Sequence, residues 1–437
     1  MLEIRGKYTS AKIFTDNIEE EALKQIYDII NSKPFENQTV RIMPDVHAGA
    51  GITIGFCGTI GDYVCPSHVG VDIGCTVSMT LIDRPIPVEK YAEFNHKILQ
   101  QIGFGFDPSQ TRAYSDRDLY DFLTLECNRA KSAHPELFYN LPDKVTQEWV
   151  TKFCKRINIQ EKIFYSSINS VGGGNHFVEY DESADGSVFG VTVHCGSRNL
   201  GKKVCEYWEN VAKETLTKEQ RNKITAEFKE HYLETHDNML NFKTDLNSHI
   251  SDFTKGKVNG YLNGENMHGY FCDMVIAMAY AKFNHLIIHK TIQKILNGYN
   301  IKPIDKIITT HNYIDFTGSV PIVRKGAIRS FSGEKMLVPF NMRDGIAICE
   351  GKSNNDWLCS CSHGAGRKMS RMKAKETLSM DEFTNTMEGI YSTTVCKDTI
   401  DEAPMAYKDT DEIKELIKDT CEIKKMVVPK INIKATK

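Results

Sequence analysis

Histidines in glycine-rich or polar turns are the most reactive feature of this sequence. The chain has 14 histidines, and a neutral imidazole is a common metal ligand. Five of them lie in such turns: His47 in PDVHAGAG, His176 in GGGNHFVE, His194 in VHCGSRNLG, His311 in THNY and His363 in CSHGAGRKMSR. A single histidine is most often a hydrogen-bonded core residue. Glycine lets a backbone and a ligand approach closely, so the clustering indicates one shared site.

The segment VDIGC adds a carboxylate and a thiol to these imidazoles. Asp72 and Cys75 are three residues apart, and a turn can direct both side chains to one point. A mixed set of Cys, His and Asp differs from an all-cysteine structural zinc site and from an oxygen-only magnesium site. The residue types therefore predict a catalytic pair of transition metals that share the thiolate. The neighbouring Asn175, Ser197 and Arg198 suit phosphate oxygens.

Two further groups of potential ligands are better explained by packing. His285 and His289 lie one helical turn apart, but they lack the glutamate of an HExxH zinc motif and flank three apolar residues. Cys359 and Cys361 form a CxC pair on a predicted strand, without a second cysteine pair to complete a zinc site. We therefore predict that both groups have packing roles.

The hydrophobic pattern predicts the elements that position these turns. Asp16 and Glu19 resemble a capping box, and apolar residues follow at helical spacing as far as Pro34. Residues 41–81 alternate short β-branched runs with glycines, which predicts strands joined by tight turns. Further along the chain, the pattern predicts a helix over 265–298, strands around Ile307, Ile322 and Ala347, and a helix over 411–427.

Composition is that of a folded chain without a membrane segment. Of 437 residues, 41% are hydrophobic and 25% are charged, as in ordinary globular proteins. The apolar run Met274–Ile288 is interrupted by polar residues and falls short of the roughly 18 uncharged residues of a membrane span, so it predicts a core helix. The N-terminus lacks the apolar core of a signal peptide. Thirteen irregularly spaced cysteines suit a reducing cytosol, so we predict a cytoplasmic protein.

Charge and segment composition predict a single domain. The net charge is −3, so a site for nucleic acid must be a local basic patch. Residues 204–262 are polar and rich in Lys and Glu, which predicts a solvated helical insertion. We find neither an internal repeat nor a linker. The sequence therefore predicts one elaborated α+β domain over residues 1–437, with central β-sheets flanked by helices.

Eight motifs, in their order along the chain, resemble the RtcB family of RNA ligases. They read MPDVHAG, GVDIGC, GGGNHFVE, HCGSR, HNY, RKGA, HGAGRKMSR and EAPMAYKD. The resemblance spans nearly the whole chain, and the ordered set is far more specific than any single motif. It implies a ligase that depends on GTP and manganese. Such an enzyme joins RNA 3'-phosphate or 2',3'-cyclic phosphate ends to 5'-hydroxyl ends through a histidine–guanylate intermediate.

The resemblance implies two manganese ions and assigns their ligands. The Asp and Cys of VDIGC match Asp72 and Cys75, which bind one ion together with His176. His194 and His311 hold the second ion, which shares the thiolate. The ligands alone do not name the metal, because Cys and His sites bind zinc more tightly than manganese. Manganese is therefore implied by the resemblance only.

The resemblance also assigns the reacting and substrate-binding groups. His363 is the nucleophile that becomes guanylylated, and Arg198 binds an RNA phosphate. The implied nucleotide-binding residues are Asn175, Glu179, Asn312, Asn341, Gly364, Ala365, Gly366 and Lys434. The implied substrate is tRNA or another structured RNA with broken ends. Whether an archease-like activator takes part is open, as are the natural RNA and the oligomeric state.

One loop departs from the family pattern. Residues 339–344 read PFNMRD where the family usually has PGSMG, so larger or charged residues stand beside the expected nucleotide. The polar stretch after Gly201 is also longer than in compact members. These departures predict a divergent paralogue with altered nucleotide handling, acting in RNA repair more than in dedicated tRNA splicing.

Two other functions are compatible with the same residues. A dinuclear metal phosphoesterase would use the same ligands without a covalent step, but it would not need the HGAGR segment around His363. An RNA-end-binding paralogue would have reduced turnover because of the altered loop around Asn341. All implied ligands and the implied nucleophile are present, which favours the ligase.

Overall fold

The computed structural model describes residues 1–105, 113–213, 218–235, 238–253 and 260–436. The strands in these ranges are β1 Leu2–Arg5, β2 Ser10–Ile13, β3 Val40–His47, β4 Ile54–Thr59, β5 Thr76–Ile82, β6 Phe177–Ser183, β7 Phe189–Cys195, β8 Pro303–Thr310, β9 Tyr313–Asp315, β10 Ile322–Lys325, β11 Ala327–Arg329, β12 Lys335–Asn341, β13 Gly345–Gly351, β14 Ser360–Ser362 and β15 Cys421–Ile433. The helices are α1 Glu20–Ile30, α2 Pro66–Val69, α3 Tyr91–Gln101, α4 Asp116–Ala133, α5 Pro135–Phe138, α6 Gln147–Arg156, α7 Glu161–Ser166, α8 Arg198–Lys213, α9 Lys218–Thr235, α10 Phe242–Phe253, α11 Gly264–Asn297, α12 Arg371–Thr377, α13 Met380–Thr386 and α14 Thr410–Leu416. The predicted α+β class is confirmed.

A seven-stranded sheet has the order β12-β13-β15-β6-β7-β5-β8, and all of its neighbouring strands are antiparallel. Phe177 at the start of β6 lies opposite His194 near the end of β7. Thr76 at the start of β5 lies opposite Cys195 of β7 and Thr310 of β8. Antiparallel pairing therefore brings the starts of β5 and β6 and the ends of β7 and β8 to one end of the sheet.

A second sheet has the order β1-β2-β3-β4-β10-β9, in which only the β2–β3 pair is parallel. A short two-stranded sheet pairs β11 with β14. Strand β3 carries the PDVH segment, and β14 ends one residue before His363. These strands bring a second set of polar residues to the end of the seven-stranded sheet.

The long helix α11 forms the core of the helical side. It packs against α4, α5 and α8, and its buried residues lie all around its circumference. The helix is long and apolar enough to cross a membrane, but 78% of its most apolar window is buried inside the protein. The core helix predicted over 265–298 is therefore confirmed, with the observed bounds Gly264–Asn297.

The predicted start of the first helix is wrong. Helix α1 begins at Glu20, and neither Asp16 nor Glu19 caps it through a side-chain hydrogen bond. The Glu19 carboxylate instead accepts a hydrogen bond from the backbone N–H of Ala48, in the PDVHAG turn. A contact distant in sequence thus replaces the local capping box.

The predicted C-terminal helix is only half correct. Helix α14 covers Thr410–Leu416, but the chain from Cys421 onward forms β15. This strand lies between β13 and β6, which supply backbone partners on both sides. A register shift near Pro429 accommodates the missing N–H of that residue. Pairing inside the sheet outweighs the helical pattern that the local sequence shows.

The polar segment predicted over 204–262 has several parts. Its first turns belong to α8, where Trp208 is buried in the main hydrophobic core. Helices α9 and α10 contact each other through the rings of Phe228 and Phe242, with centroids 5.8 Å apart. Parts of the segment lie outside the described residues, namely 214–217, 236–237 and 254–259. The assignment of an insertion within one domain stays a prediction.

Candidate active site

A cavity of about 580 Å³ lies where the end of the seven-stranded sheet faces β3 and β14. The predicted site residues line it with the exception of Ser197 and Arg198. Side chains from the strand ends form one wall, and the segment that follows β14 forms the opposite wall. The structure therefore brings residues that are far apart in sequence into one enclosed space.

Cys75, His176 and His194 form the centre of the cavity wall. The Nε2 atoms of His176 and His194 lie 3.3 and 3.2 Å from the Sγ atom of Cys75. All three side chains are buried. One ligand atom from each residue lies within 4.8 Å of the others, which suits a bound metal ion.

Backbone carbonyls determine the orientation of both imidazoles. His176 Nδ1 lies 3.0 Å from the carbonyl oxygen of Val171, and His194 Nδ1 lies 3.2 Å from that of Asn175. A carbonyl oxygen only accepts, so each Nδ1 carries the proton and donates it. The Nε2 lone pairs therefore face Cys75, as expected for metal-binding histidines with a backbone partner on the other nitrogen.

Asp72 completes a group of acceptors around His176. Its Oδ2 atom lies 2.9 Å from His176 Nε2, the same nitrogen that faces the Cys75 thiol. The weak S–H donor of Cys75 must therefore serve both the carboxylate oxygen and the imidazole lone pair, and a bound metal ion would take the place of that proton. The donor set fits a transition metal with soft and hard ligands.

The acid–base properties of the group also suit a cation. Burial acts to raise the pKa of Asp72, but a doubly protonated His176, with a second N–H on Nε2, attracts the carboxylate and donates to it, which lowers the pKa to about 2. Burial and the Asp72 carboxylate raise the pKa of the Cys75 thiol well above its ordinary value. A thiolate at this position therefore needs a nearby positive charge, which a divalent metal ion would supply.

His311 lies beside this group on the side of β8. Its backbone N–H donates to the carbonyl of Cys75 over 2.8 Å. Its ring lies between those of His194 and His363, with centroid distances of 5.3 and 5.0 Å. The Nδ1 atom is buried and has no hydrogen-bond partner among the described residues. Burial lowers the pKa of His311 well below its ordinary value, so the neutral ring can act as a ligand.

Asp45 orients His363. One carboxylate oxygen, Oδ2, lies 2.7 Å from His363 Nδ1 and accepts the backbone N–H of His363 over 3.1 Å. Asp45 is completely buried on β3. The carboxylate holds the proton on Nδ1, so the lone pair of His363 is on Nε2. Asp45 lies within the PDVH motif but is not among the residues that the sequence predicts for the site.

Two glycines allow the close approach of the site segments. Gly366 has a φ of +73°, and a Cβ atom there would lie 2.1 Å from the carbonyl oxygen of Asp45. Gly172 has a φ of +108°, and its Cβ would lie 1.9 Å from Nη1 of Arg198. Only glycine fits either position. The turn at Gly366 thus holds His363 against Asp45. The turn at Gly172 lets the loop before His176 pack against Arg198.

Arg198 lies behind the cavity wall. Its Nε donates to Ser170 Oγ over 3.1 Å, and Nη2 donates to the carbonyl of Gly105 over 2.9 Å. It does not line the cavity. The predicted role of Arg198 in binding an RNA phosphate therefore stays a prediction.

The cavity lining also contains an ionic network around Lys434, whose other members the sequence did not predict. Lys434 Nζ lies 3.6 Å from Glu402 Oε2, and Glu402 also pairs with Arg367 and Arg371. Burial acts to raise the pKa of Glu402, but these three cations lower it. Tyr407 donates to the same carboxylate over 2.6 Å. The motif EAPMAYKD supplies two of these groups, but spacing alone did not link them to the C-terminal lysine.

Glu179 faces the cavity from β6 but is almost fully buried. Its carboxylate accepts a hydrogen bond from the Asn432 amide. Burial and the nearby Asp181 raise the pKa of Glu179 well above its ordinary value. A ligand that presents N–H donors would satisfy this carboxylate, in keeping with the predicted nucleotide-binding role of Glu179.

Asp181 makes stability depend on pH. Burial raises its pKa to about 7, from an ordinary value of 3.8. The folded state therefore retains a proton that the unfolded state releases, so stability is lost as pH rises from about 4 to about 7. Asp181→Asn should raise the thermal unfolding midpoint relative to the wild type at pH 8 but not at pH 4. A pKa rise of about three corresponds to a free energy on the order of 4 kcal/mol.

Asp185→Asn is the matched control for this prediction. Asp185 is exposed, and a hydrogen bond from Lys425 lowers the pKa of its carboxylate. It therefore stays charged from pH 5 to pH 8, and its replacement should leave the slope of midpoint against pH unchanged in this range. Equal slopes for the wild type and Asp181→Asn would show that Asp181 is charged in the folded protein.

The loop over 339–344 is a closed turn. The Asn341 Oδ1 atom accepts the backbone N–H groups of Arg343 and Asp344 over 3.0 and 2.9 Å. Arg343 pairs with Asp344 and does not line the cavity, whereas Asn341 does. Phe340 is 2% exposed and packs in a core cluster. Of the residues that depart from the family loop, Phe340 and Asn341 therefore line the cavity, whereas Arg343 and Asp344 serve the turn.

Comparisons with known proteins agree with this arrangement. The family model described as tRNA-splicing ligase RtcB matches residues 25–435. The RNA-splicing ligase RtcB1 of Escherichia coli is 27% identical over 409 residues, which cover 91% of this chain and 90% of that protein. The tRNA-splicing ligase RtcB of Methanococcus maripaludis is 23% identical over 480 residues, covering 95% of this chain and 91% of that protein. The match spans both walls of the cavity and nearly the whole sequence, and the chain therefore belongs to the RtcB family.

Proposed function

We propose that this protein is an RNA ligase that joins 3'-phosphate or 2',3'-cyclic phosphate ends to 5'-hydroxyl ends. The observation that carries the proposal is the position of His363. Its imidazole is oriented by Asp45 and shares one cavity with Cys75, His176 and His194. A nucleophile and a potential metal site are thus next to each other, as a phosphoryl-transfer enzyme requires.

The metal site would hold two manganese ions. Asp72, Cys75 and His176 would bind one ion, and His194 and His311 would bind a second ion that shares the thiolate. Bound metal would withdraw charge from phosphate oxygens and align the reacting groups. Two observations support this assignment: the Asp72 carboxylate and the Cys75 sulfur converge on His176 Nε2, and the buried Nδ1 of His311 has no hydrogen-bond partner in the part of the chain that the structure describes.

In the first step His363 would attack GTP. The Nε2 lone pair forms a bond to the α-phosphorus, the bond from that phosphorus to the bridging oxygen breaks, and pyrophosphate leaves. The imidazole ring gains positive charge during this attack. The Asp45 carboxylate on Nδ1 stabilises that charge and maintains the tautomer. The product is a phosphoramidate that links His363 to guanylate.

Two further transfers would complete the reaction. An oxygen of the RNA 3'-phosphate attacks the guanylate phosphorus, and the bond to His363 Nε2 breaks. The RNA 5'-hydroxyl then attacks the activated phosphate, a phosphodiester forms, and GMP leaves. A cyclic phosphate would first be opened by water to a 3'-phosphate. The nucleotide would lie near Asn175, Glu179 and Lys434, with Asn312 and Gly364–Gly366 beside the phosphates.

RNA with broken ends is the proposed substrate, and repair in the cytoplasm is the proposed setting. Arg198 would contact a phosphate of the RNA. The described cysteines are all free thiols, which agrees with a reducing compartment. An archease-like activator would be an additional partner if turnover of the purified protein alone is slow.

The His363–Asp45 pair favours a ligase over a phosphoesterase. A hydrolase with the same metal ligands can act through metal-activated water alone, whereas a covalent transfer needs a nucleophile such as an imidazole whose other nitrogen is held by a partner. The pair provides an oriented nucleophile at His363 Nε2. The cavity of about 580 Å³ accommodates a nucleotide. An inactive RNA-binding paralogue would have no reason to retain both.

Labelled GTP tests the proposed function. The protein is incubated with manganese and GTP labelled at the α-phosphate, and then denatured and separated by electrophoresis. A covalent label is expected, and RNA with a 3'-phosphate should remove it. GTP labelled at the γ-phosphate is the control and should leave the protein unlabelled. RNA joining without a label, or RNA hydrolysis without joining, would contradict the proposed intermediate.

Asn341→Ser should change the use of GTP. The change removes the amide that closes the 339–344 turn beside the cavity, corresponding to one or two hydrogen bonds of ~1 kcal/mol each. We expect the KM for GTP to rise from a few-fold to about thirtyfold, while the joining of RNA already capped with guanylate changes little. The single substitution avoids Phe340, whose core position would confound a loop replacement.

Arg343→Gly is the control for the loop prediction. Arg343 has the same turn neighbours but lies outside the cavity lining. Its removal should leave the KM for GTP within about twofold. An unchanged KM in Asn341→Ser would remove the loop from the nucleotide site.

A further inference from the structure

A continuous chain of hydrogen bonds lies beneath the proposed metal site. It starts at Thr80 Oγ1, which lies 2.8 Å from His289 Nδ1. His289 Nε2 lies 2.6 Å from Ser78 Oγ, and Ser78 Oγ lies 2.8 Å from His285 Nδ1. The chain ends where His285 Nε2 lies 2.9 Å from the carbonyl oxygen of Cys195. It connects α11, β5 and β7.

The final carbonyl determines the direction of every bond in this chain. A carbonyl oxygen cannot donate, so His285 carries its proton on Nε2 and accepts on Nδ1. Ser78 must then donate to His285 and accept from His289. The remaining nitrogen of His289 accepts from Thr80. A chain that ends on a carbonyl has no group to receive a transferred proton, so it orients the strands instead of conducting protons.

Both histidines of the chain are held in the neutral form. Burial lowers the pKa of His285 to about 4 and the pKa of His289 well below its ordinary value. The nearby Lys306 ammonium adds to both effects. A neutral imidazole has one donor nitrogen and one acceptor nitrogen. In this hydrogen-bond chain each of the four ring nitrogens therefore has a suitable partner.

The chain is attached to two of the proposed metal ligands. Ser78 is on β5, three residues after Cys75, and Cys195 follows His194 directly on β7. The His285 N–H also lies 3.1 Å from the Cys195 sulfur. Movement of His285 would therefore be transmitted to the backbone that carries His194.

Asn284 provides a second attachment from the same turn of α11. Its Oδ1 accepts the backbone N–H of Asn169 over 2.8 Å, and its Nδ2 donates to the carbonyl of Ser170 over 2.9 Å. The next residue, Val171, supplies the carbonyl that orients His176. Adjacent residues of one core helix thus support the backbone of both imidazole ligands.

We propose that Asn284 and the chain Thr80–His289–Ser78–His285 are positioning residues for the metal site. They hold His176, His194 and Cys75 at coordinating distance by tying their backbone to the rigid helix α11. Outer-shell partners of this kind commonly change metal affinity by about ten- to a hundredfold when removed. This inference rests on the metal site of the proposed function. It assigns a role to His285 and His289 beyond the packing that their sequence context predicts.

Cobalt binding tests the inference without reference to RNA joining. The metal-free full-length protein is titrated with Co²⁺, whose charge-transfer absorption reports a bond to the Cys75 thiolate and whose visible bands report ligand geometry. His285→Phe should weaken Co²⁺ binding at least tenfold and alter the visible bands. Ser78→Ala should weaken it less, and Thr80→Val least, because each lies further along the chain from Cys195. His285→Gln retains a donor toward Cys195 and should restore most of the affinity.

Controls separate a positioning role from a general loss of stability. Ile292→Val removes one methyl group at a buried site on the same helix, outside the chain, and should leave Co²⁺ affinity unchanged even if the unfolding midpoint falls. If His285→Phe fails to fold, Ser78→Ala gives the same test with the loss of one oxygen. Wild-type affinity and bands in both Ser78→Ala and Thr80→Val, or in a folded His285→Phe, would overturn the positioning role. Absence of Co²⁺ binding in the wild type would instead overturn the metal site, and this inference with it.

Discussion

Cys75→Ala is expected to abolish both guanylylation and RNA joining, with a loss of at least about a thousandfold in rate. The thiol lies 3.3 and 3.2 Å from the Nε2 atoms of two proposed ligands, so it is the group that two metals can share. No other described thiol lines the cavity. Loss of the bridge should cost about 4 kcal/mol or more of transition-state stabilisation.

Metal content and a control thiol complete this test. The variant should retain less manganese after dialysis than the wild type. Cys65→Ala provides the control, because the Cys65 sulfur contacts Ser67 and lies away from the cavity. That variant should be as active as the wild type. Near-normal turnover of Cys75→Ala in the presence of manganese would disprove the bridging role.

His363→Ala is expected to eliminate the covalent guanylate, because the Asp45 carboxylate holds the His363 Nδ1 and leaves the Nε2 lone pair for the attack. By contrast, three other imidazoles of the cavity are proposed metal ligands, namely His176, His194 and His311. Ser362 is buried, and its hydroxyl has no base within hydrogen-bond distance among the described residues. Asp45→Asn should retain the position of His363 but remove the charge that stabilises the developing cation. We expect a reduction of about a hundredfold or more in guanylylation rate for this variant.

The chemical stability of the adduct identifies the atom that carries it. A guanylate on an imidazole nitrogen is a phosphoramidate, which acid cleaves and alkali leaves largely intact. The label on the wild-type protein should therefore disappear in acid. A label that survives acid, or one that persists in His363→Ala, would assign the nucleophile to another residue and weaken the ligase proposal.

Sequence alone determined which side chains could act together. The glycine-rich turns around His176, His194 and His363 and the VDIGC segment are local signals, since each depends on residue types within a few positions. They predicted a shared site before any coordinate was known. The long core helix was also predicted correctly, because an apolar stretch of that length has few alternatives to burial.

Only the tertiary structure decided which partners these side chains have. Asp45 and His363 are 318 residues apart, and no periodicity or spacing relates them. The first half of β15, which falls inside the helix predicted over 411–427, depends on pairing with neighbouring strands, which local propensity does not reveal. The first helix likewise uses Glu19 to bind the Ala48 turn instead of capping itself.

The same distinction explains His285 and His289. Their helical spacing and apolar neighbours indicate burial, and both are buried. A buried imidazole must satisfy two nitrogens, however, and its partners come from whichever elements pack against the helix. Here those elements are β5 and β7, the strands next to the proposed metal ligands. Sequence determined the chemical groups and the helix, whereas antiparallel pairing and packing determined that these groups lie beneath one site.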